Sequence, residues 1–190
     1  MNLLFIGDVV GQSGCDFLES RMYKLKREYD IDVTVVNGEN SAQGNGITPQ
    51  SYRQLLNMGA DVVTTGNHSF RRREAEELYD TNEQLLRPAN YPEGVMGHGV
   101  TYIDMCPYKI AVVNLMGTMY MEAVENPFNY VDKFLESIDT PNIIVDFHAE
   151  ATSEKKAMGF YLQKRCTAVL GTHTHVQTAD EMILGGHTAY

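Results

Sequence analysis

A set of short polar clusters, each at the end of an apolar run rich in β-branched residues, carries the chemistry of this chain. Gly7-Asp8 follows LLFI, Gly38-Glu39-Asn40 follows VTVVN and Gly66-Asn67-His68 follows DVVTT. His148 closes IIVDF, and Thr172-His173-Thr174-His175 follows AVLG. Asp, Glu, Asn and His supply the oxygen and nitrogen ligands of hard and borderline divalent metals. Placement at strand ends would gather them on one rim of one sheet, where open α/β sheets hold their sites. The pattern reads as a two-metal centre.

Taken singly, the clusters differ in weight. Asp8 has an ordinary alternative as the cap of a following helix. Glu39-Asn40 is more specific, because a carboxylate beside an amide is poor strand and poor core chemistry. A turn is its ordinary role. Its functional role would be to bridge two ions, which in such sites lie about 3.5–4 Å apart. Of Asn67 and His68, one can coordinate through its amide oxygen while the other faces substrate as an acid. His148 has a buried structural role as its alternative. His173 and His175 are the strongest pair, since residues i and i+2 of an extended segment point the same way, with Thr172 and Thr174 facing elsewhere. His98 and His187 read as solvent-facing. Arg71-Arg72-Arg73 reads as a solvated helix start with phosphate binding left open.

Other chemistries fare poorly. Neither G-x-S-x-G nor a Walker A sequence occurs, and glycines at 7, 11 and 14 do not spell a dinucleotide fingerprint. The three cysteines, Cys15, Cys106 and Cys166, are odd in number and widely spaced, which fits free thiols in a reducing compartment. The cytoplasm is the expected location. A net charge of −10 argues against a broad nucleic-acid or anionic-membrane surface. It leaves room for a small phosphate substrate, because bound metals carry local positive charge. No apolar stretch approaches the roughly 20 residues of a membrane span, and MNLLFIGD does not read as a signal peptide.

The elements that must position these residues alternate in type. Strands are expected at 2–7, 32–37, 61–65, 142–147 and 167–171, and helices at 12–29, after Thr48-Pro49, at 72–84, near 128–138 and at 152–164. Thr152 or Ser153 is the expected cap of the last helix. Residues 99–104 and 109–115 read as a hairpin, 87–94 as a turn-rich connector, and 181–184 with 188–190 as the start of a final hairpin. Such alternation implies an α/β fold with a largely parallel sheet and antiparallel additions. One domain over residues 1–190 with a single core is expected, and HTAY reads as a chain stopping early in a strand.

The ordered clusters GD, GEN, GNH, a lone strand-end His and GTHTH resemble the calcineurin-like metallophosphoesterases. FIGDVVG, GADVVTTGNH, LLRPANYPEG, DFHAEATSEK and GTHTHVQTAD narrow the resemblance to the YmdB-type bacterial phosphodiesterases, over nearly the whole chain. The resemblance implies a four-layer α/β/β/α sandwich whose second sheet is incomplete at the C-terminus. It implies two ions, iron or manganese, and activity on 2′,3′-cyclic nucleotides. Asp8, Glu39, Asn40 and His175 would hold one ion, Glu39, Asn67, His148 and His173 the other, and His68 would be the catalytic acid. Val10 stands where most of the superfamily has a His. Phe70 and Thr118 depart from the Trp and Arg common in the subfamily, at positions that bear on substrate contacts.

The expected activity is therefore hydrolysis of a small nucleotide phosphodiester, with a homo-oligomer left open. A non-catalytic regulatory or scaffold protein that keeps the metal site is the rival, separated by turnover of a generic diester with manganese. A nucleotide-binding oxidoreductase would rest on the first Gly-rich loop alone and leave the histidines unexplained.

Overall fold

Short β-branched runs favour buried parallel strands, and the longer amphipathic stretches between them favour covering helices. The computed structural model describes residues 1–190. The chain folds as two compact units, residues 1–87 with 96–98, and residues 88–95 with 99–190.

The first unit contains β1 (Leu3–Ile6), α1 (Gly11–Glu28), β2 (Val33–Asn37), α2 (Pro49–Asn57), β3 (Val62–Thr64), a 3-10 turn (Arg73–Ala75), α3 (Glu76–Thr81) and β4 (Leu85–Leu86). Its strands form an all-parallel sheet in the order β1-β2-β3-β4. Cys15, Leu18 and Met22 of α1 and Tyr52 and Leu55 of α2 pack in one cluster with Val36 and Val63. Thr48 and Ser51 cap α2 reciprocally, with Ser51 N donating to Thr48 Oγ1 at 3.1 Å and Thr48 N to Ser51 Oγ at 3.0 Å. The N-cap of α1 is Val10, with no side-chain bond. Capping is therefore not what Asp8 does.

The second unit contains β5 (Val100–Asp104), β6 (Lys109–Met116), α4 (Pro127–Glu136), β7 (Ile143–His148), α5 (Thr152–Tyr161), β8 (Ala168–Thr172), β9 (Ile183–Leu184) and β10 (Thr188–Ala189). Its sheet runs β5-β6-β7-β8-β10-β9. β6, β7, β8 and β10 are parallel, while β5 and β9 are antiparallel additions. Val113, Val145, Phe147, Val169 and Met158 belong to a second apolar cluster. The fold is thus mixed α/β, with one parallel sheet and a second sheet carrying antiparallel strands.

Several expectations change. The strand-end clusters do not lie on one sheet: Asp8, Glu39 and His68 follow strands of the first sheet, whereas His148 and His173 belong to the second. The helix expected over 72–84 shrinks to a 3-10 turn and a six-residue helix. Arg72 is extended, and its guanidinium donates to the carbonyls of Asn45 and Gln43, so it ties the Gly-rich loop instead of starting a helix. At the other end Asn82 is extended and β4 must run beside β3. The cap of α5 is Ala151, without a side-chain bond, rather than Thr152 or Ser153. The connector 87–94 is not a solvent turn throughout. Asn90 is fully buried, donates to the carbonyls of Met116 and Glu125 at 2.8 Å, and accepts from Met116 N at 2.9 Å.

Candidate functional site

In parallel strands the C-terminal ends share one edge, so the loops after β1, β2 and β3 emerge side by side. Asp8, Glu39-Asn40 and Asn67-His68 occupy those loops. The chain after Asp8 stays against the end of β2, with Val9 N donating to the carbonyl of Asn37 at 3.0 Å and Gly11 N to that of Asn40 at 2.8 Å. Gly38 has to be glycine: a Cβ there would stand 2.6 Å from Leu55 Cδ1 and 2.8 Å from Val63 Cγ1. That close approach lets β2 turn sharply into Glu39.

Glu39 is fully buried. A buried carboxylate is costly unless hydrogen-bond donors surround it. Here His68 N donates to Oε2 at 3.0 Å and Asn40 Nδ2 to Oε1 at 3.1 Å. Because a carboxylate only accepts, the Asn40 amide must turn its nitrogen to Glu39 and its oxygen to His68. His68 Nδ1 then donates to Asn40 Oδ1 at 2.9 Å, with Glu39 Oε1 3.3 Å away. The ring is thereby held by one edge, which directs Nε2 away from the carboxylate, and the side chain is about a quarter exposed, at 26%. Asn37 braces the turn by accepting from Glu39 N at 3.2 Å.

The loop carrying His68 is itself pinned. Ser69 is fully buried and bonds Thr65 Oγ1 at 2.7 Å and the carbonyl of Gly66 at 2.6 Å. Tyr79 OH donates to the carbonyl of Ser69 at 2.9 Å. Phe70 packs against Tyr79 with ring centroids 5.1 Å apart and the rings tilted by 52°, and it joins the first apolar cluster.

In the second unit β7 and β8 run parallel with His148 opposite Thr172. His148 is fully buried, and its Nδ1 lies 2.8 Å from Thr172 Oγ1, which donates to Asp146 Oδ1 at 2.7 Å. His148 Nε2 lies 3.1 Å from His173 Nδ1, with the rings edge to face. His173 Nε2 lies 2.8 Å from Glu150 Oε2. The expectation that His173 and His175 alternate along an extended segment does not hold. β8 ends at Thr172, and the two histidines have φ of 103° and 53°. Thr172 does not face elsewhere; it holds His148. His173 is half-buried and His175 exposed beyond it.

The donor set fits metal ions. Carboxylate, amide oxygen and imidazole nitrogen together suit iron or manganese better than a thiolate-preferring ion. Two imidazole nitrogens each about 2.1 Å from one ion, at roughly a right angle, stand about 3 Å apart. The pair His148 Nε2 and His173 Nδ1 has that separation, at 3.1 Å.

Residues outside these rims have structural explanations. His98 is not simply solvent-facing, since its Nε2 bonds the carbonyl of Glu83 at 3.0 Å; His187 is exposed. Thr118 presents N and Oγ1 to Glu154 Oε1, at 2.9 and 3.2 Å. All three cysteines are free thiols. Burial pushes the Cys166 thiol up to about 12 and raises that of Cys15, so neither is a ready nucleophile. Position after an apolar run does not mark Asp146, although an Asp inside IIVDF is itself a signal, because carboxylates are almost never fully buried without partners.

Carboxylate, amide and imidazole groups at the strand ends of a mixed α/β scaffold make a candidate metal site. The model of the YmdB-like protein family matches residues 4–190, and the chain belongs to that family. A relative from Bacillus subtilis (strain 168) is 46% identical over 192 residues, which span 100% of this chain and 73% of the relative. It bears the name 2′,3′-cyclic-nucleotide 2′-phosphodiesterase. A hypothetical protein from Thermus thermophilus superposes with a TM-score of 0.94 at 39% identity, covering 100% of this chain and 74% of that one. A phosphatase from Mycoplasma pneumoniae gives 0.94 at 32% identity, covering 99% and 69%. No helix is long and apolar enough to cross a membrane.

Proposed function

We propose that this protein is a dinuclear metal-dependent phosphodiesterase that opens 2′,3′-cyclic nucleotides. One observation carries the reading: the buried Glu39 carboxylate, the Asn40 amide and the His68 imidazole form a fixed network that directs His68 Nε2 away from the carboxylate. The name of the Bacillus subtilis relative supports the substrate class. Asp8, Glu39, Asn40 and His175 are assigned to one ion, and Glu39, Asn67, His148 and His173 to the other. When bound, such ions neutralise developing charge on phosphoryl oxygens and activate water at neutral pH.

The protein's own residues do the rest. Water attacks phosphorus in line, losing one proton to solvent, and the P–O2′ bond breaks. The departing O2′ takes the Nε2 proton of the His68 imidazolium, whose Nδ1–H stays on Asn40, and this spares it leaving as an alkoxide. The product is a nucleoside 3′-phosphate. Asn40 keeps the ring oriented through Nδ1, so that the proton at Nε2 faces the leaving group. The Ser69, Thr65 and Tyr79 hydrogen bonds keep the loop from drifting, and misplacement by about 1 Å can cost about a hundredfold in rate. A cytoplasmic location is part of this reading and accords with the three free thiols.

The test is metal analysis coupled to a panel of 2′,3′-cyclic mononucleotides, 3′,5′-cyclic mononucleotides, cyclic dinucleotides and a bis-aryl phosphodiester with added manganese. Metal-dependent turnover fastest on the 2′,3′-cyclic substrates is the expected result. A fully active metal-free preparation would overturn the mechanism. Loaded protein inert toward every diester would replace it with a non-catalytic, metal-holding role.

A further inference from the structure

The second unit holds a line of polar side chains that ends on His148 and includes two, Asp146 and Thr172, that the proposed reaction does not itself use. Asp146 and His148 are two residues apart on β7, so their side chains leave the same face of the sheet. Thr172 on β8 is in register with His148 and Leu170 with Asp146. Topology therefore sets three side chains in a row, with Asp146, Thr172 and His148 all buried. Burying an Asp and a His in the middle of a sheet is costly without mutual hydrogen bonds, and neighbouring positions of β7 hold Ile144, Val145 and Phe147. An apolar residue at 146 would pack there without that cost.

We propose that Asp146 and Thr172 are positioning residues that fix the tautomer and ring orientation of His148, so that Nε2 presents its lone pair to a metal ion. Asp146 Oδ1 only accepts, so the single hydroxyl proton of Thr172 goes to it across 2.7 Å. Thr172 Oγ1 can then only accept along its 2.8 Å contact with His148. His148 Nδ1 must donate, and Nε2 carries the lone pair. His173 is set in the same way by one step fewer. Its Nε2 donates to Glu150 Oε2 at 2.8 Å, which leaves its Nδ1 lone pair 3.1 Å from His148 Nε2. Two acceptors at that distance repel unless a shared electrophile joins them, a metal ion or a proton that His173 Nδ1 donates to His148 Nε2, and His148 Nε2 is the acceptor in either case. Imidazole ligands elsewhere are oriented by carboxylates in this manner, and loss of such a partner typically costs about 10- to 100-fold in metal affinity. The buried relay through Thr172 should matter more than Glu150, whose side chain is 47% exposed and exchanges readily with water.

The inference rests on the metal reading above, and its test separates the two. Metal-free protein labelled with nitrogen-15 histidine should show His148 protonated at Nδ1 by long-range proton–nitrogen correlation. Thr172→Ser should keep that signature and Thr172→Val should lose it, with thermal melts confirming that both fold. Equilibrium dialysis against manganese should then give an affinity about 10- to 100-fold weaker for Thr172→Val and Asp146→Asn, and near wild type for Thr172→Ser. Glu150→Gln should fall less. A His148 protonated at Nε2 in the wild type overturns the inference outright. So does unchanged manganese affinity in Thr172→Val while His148→Ala loses metal. If His148→Ala itself binds manganese normally, the metal reading fails and the relay has no metal to serve, whatever the tautomer.

Discussion

The rim of the all-parallel sheet and the rim of the mixed sheet present their polar atoms by opposite means. At the first, Glu39, Asn40 and His68 lie in loops beyond the strands, and the buried carboxylate is satisfied by a backbone N–H and an amide that those loops supply. At the second, His148 is still within β7, where the backbone is committed to the ladder, so its partner has to be a side chain of the neighbouring strand. The backbone instead bends after β8, where His173 and His175 adopt positive φ. A carboxylate asks for several donors, which a loop provides. An imidazole asks for one well-placed acceptor, which a sheet face provides. The cost also differs, since non-glycine residues held at unusual φ store about 1–3 kcal/mol.

The comparison is broken most severely by removing a key side chain from either rim. Glu39→Gln and His148→Ala should each abolish activity, at least about 100-fold, mainly through loss of metal measured by elemental analysis. Retained metal in both would mean that neither rim holds ions. Next in size, His68→Ala should keep its metal and lose turnover by about 10²- to 10⁴-fold on a cyclic nucleotide, because only proton transfer is removed. Parallel losses of metal and rate would make His68 a structural member of the first rim.

The smaller tests read stability. Gly38→Ala forces a Cβ within 2.6 Å of Leu55 and 2.8 Å of Val63, and should cost about 1–3 kcal/mol in denaturant unfolding. A neutral result would show that the close turn into Glu39 is not needed. His173→Gly should unfold at higher denaturant than His173→Ala, by about 1 kcal/mol, because only glycine adopts φ of 103° without strain. Equal stability would remove the strain that sets the second rim apart from the first.

Much of the scaffold was legible in local pattern. The strands at 2–7, 32–37 and 142–147, the helix after Thr48-Pro49 and the 99–104/109–115 hairpin all depend on short-range chemistry, and β1, β2, β7, α2 and the β5–β6 pair follow them closely. The helix over 72–84 failed because Arg72 is claimed by carbonyls 27 and 29 residues away. Hydrophobic periodicity contains no such partner. Likewise, Asn90 reads as a turn residue and is buried, because distant Met116 and Glu125 need its amide.

Residue type and position after apolar runs were enough to mark Asp8, Glu39, Asn40, Asn67, His68, His148, His173 and His175 as candidate site residues. Which atom of each faces which neighbour was decided only by the tertiary structure. The sequence could not say that the strands divide between two sheets, that Arg72 ties a loop, or that Asp146 reaches His148 through Thr172. Those outcomes depend on register between strands and on hydrogen bonds across some 25 residues or more, as Thr172 to Asp146 spans 26. Composition determines which groups are available, and packing decides which lone pair is left to do chemistry.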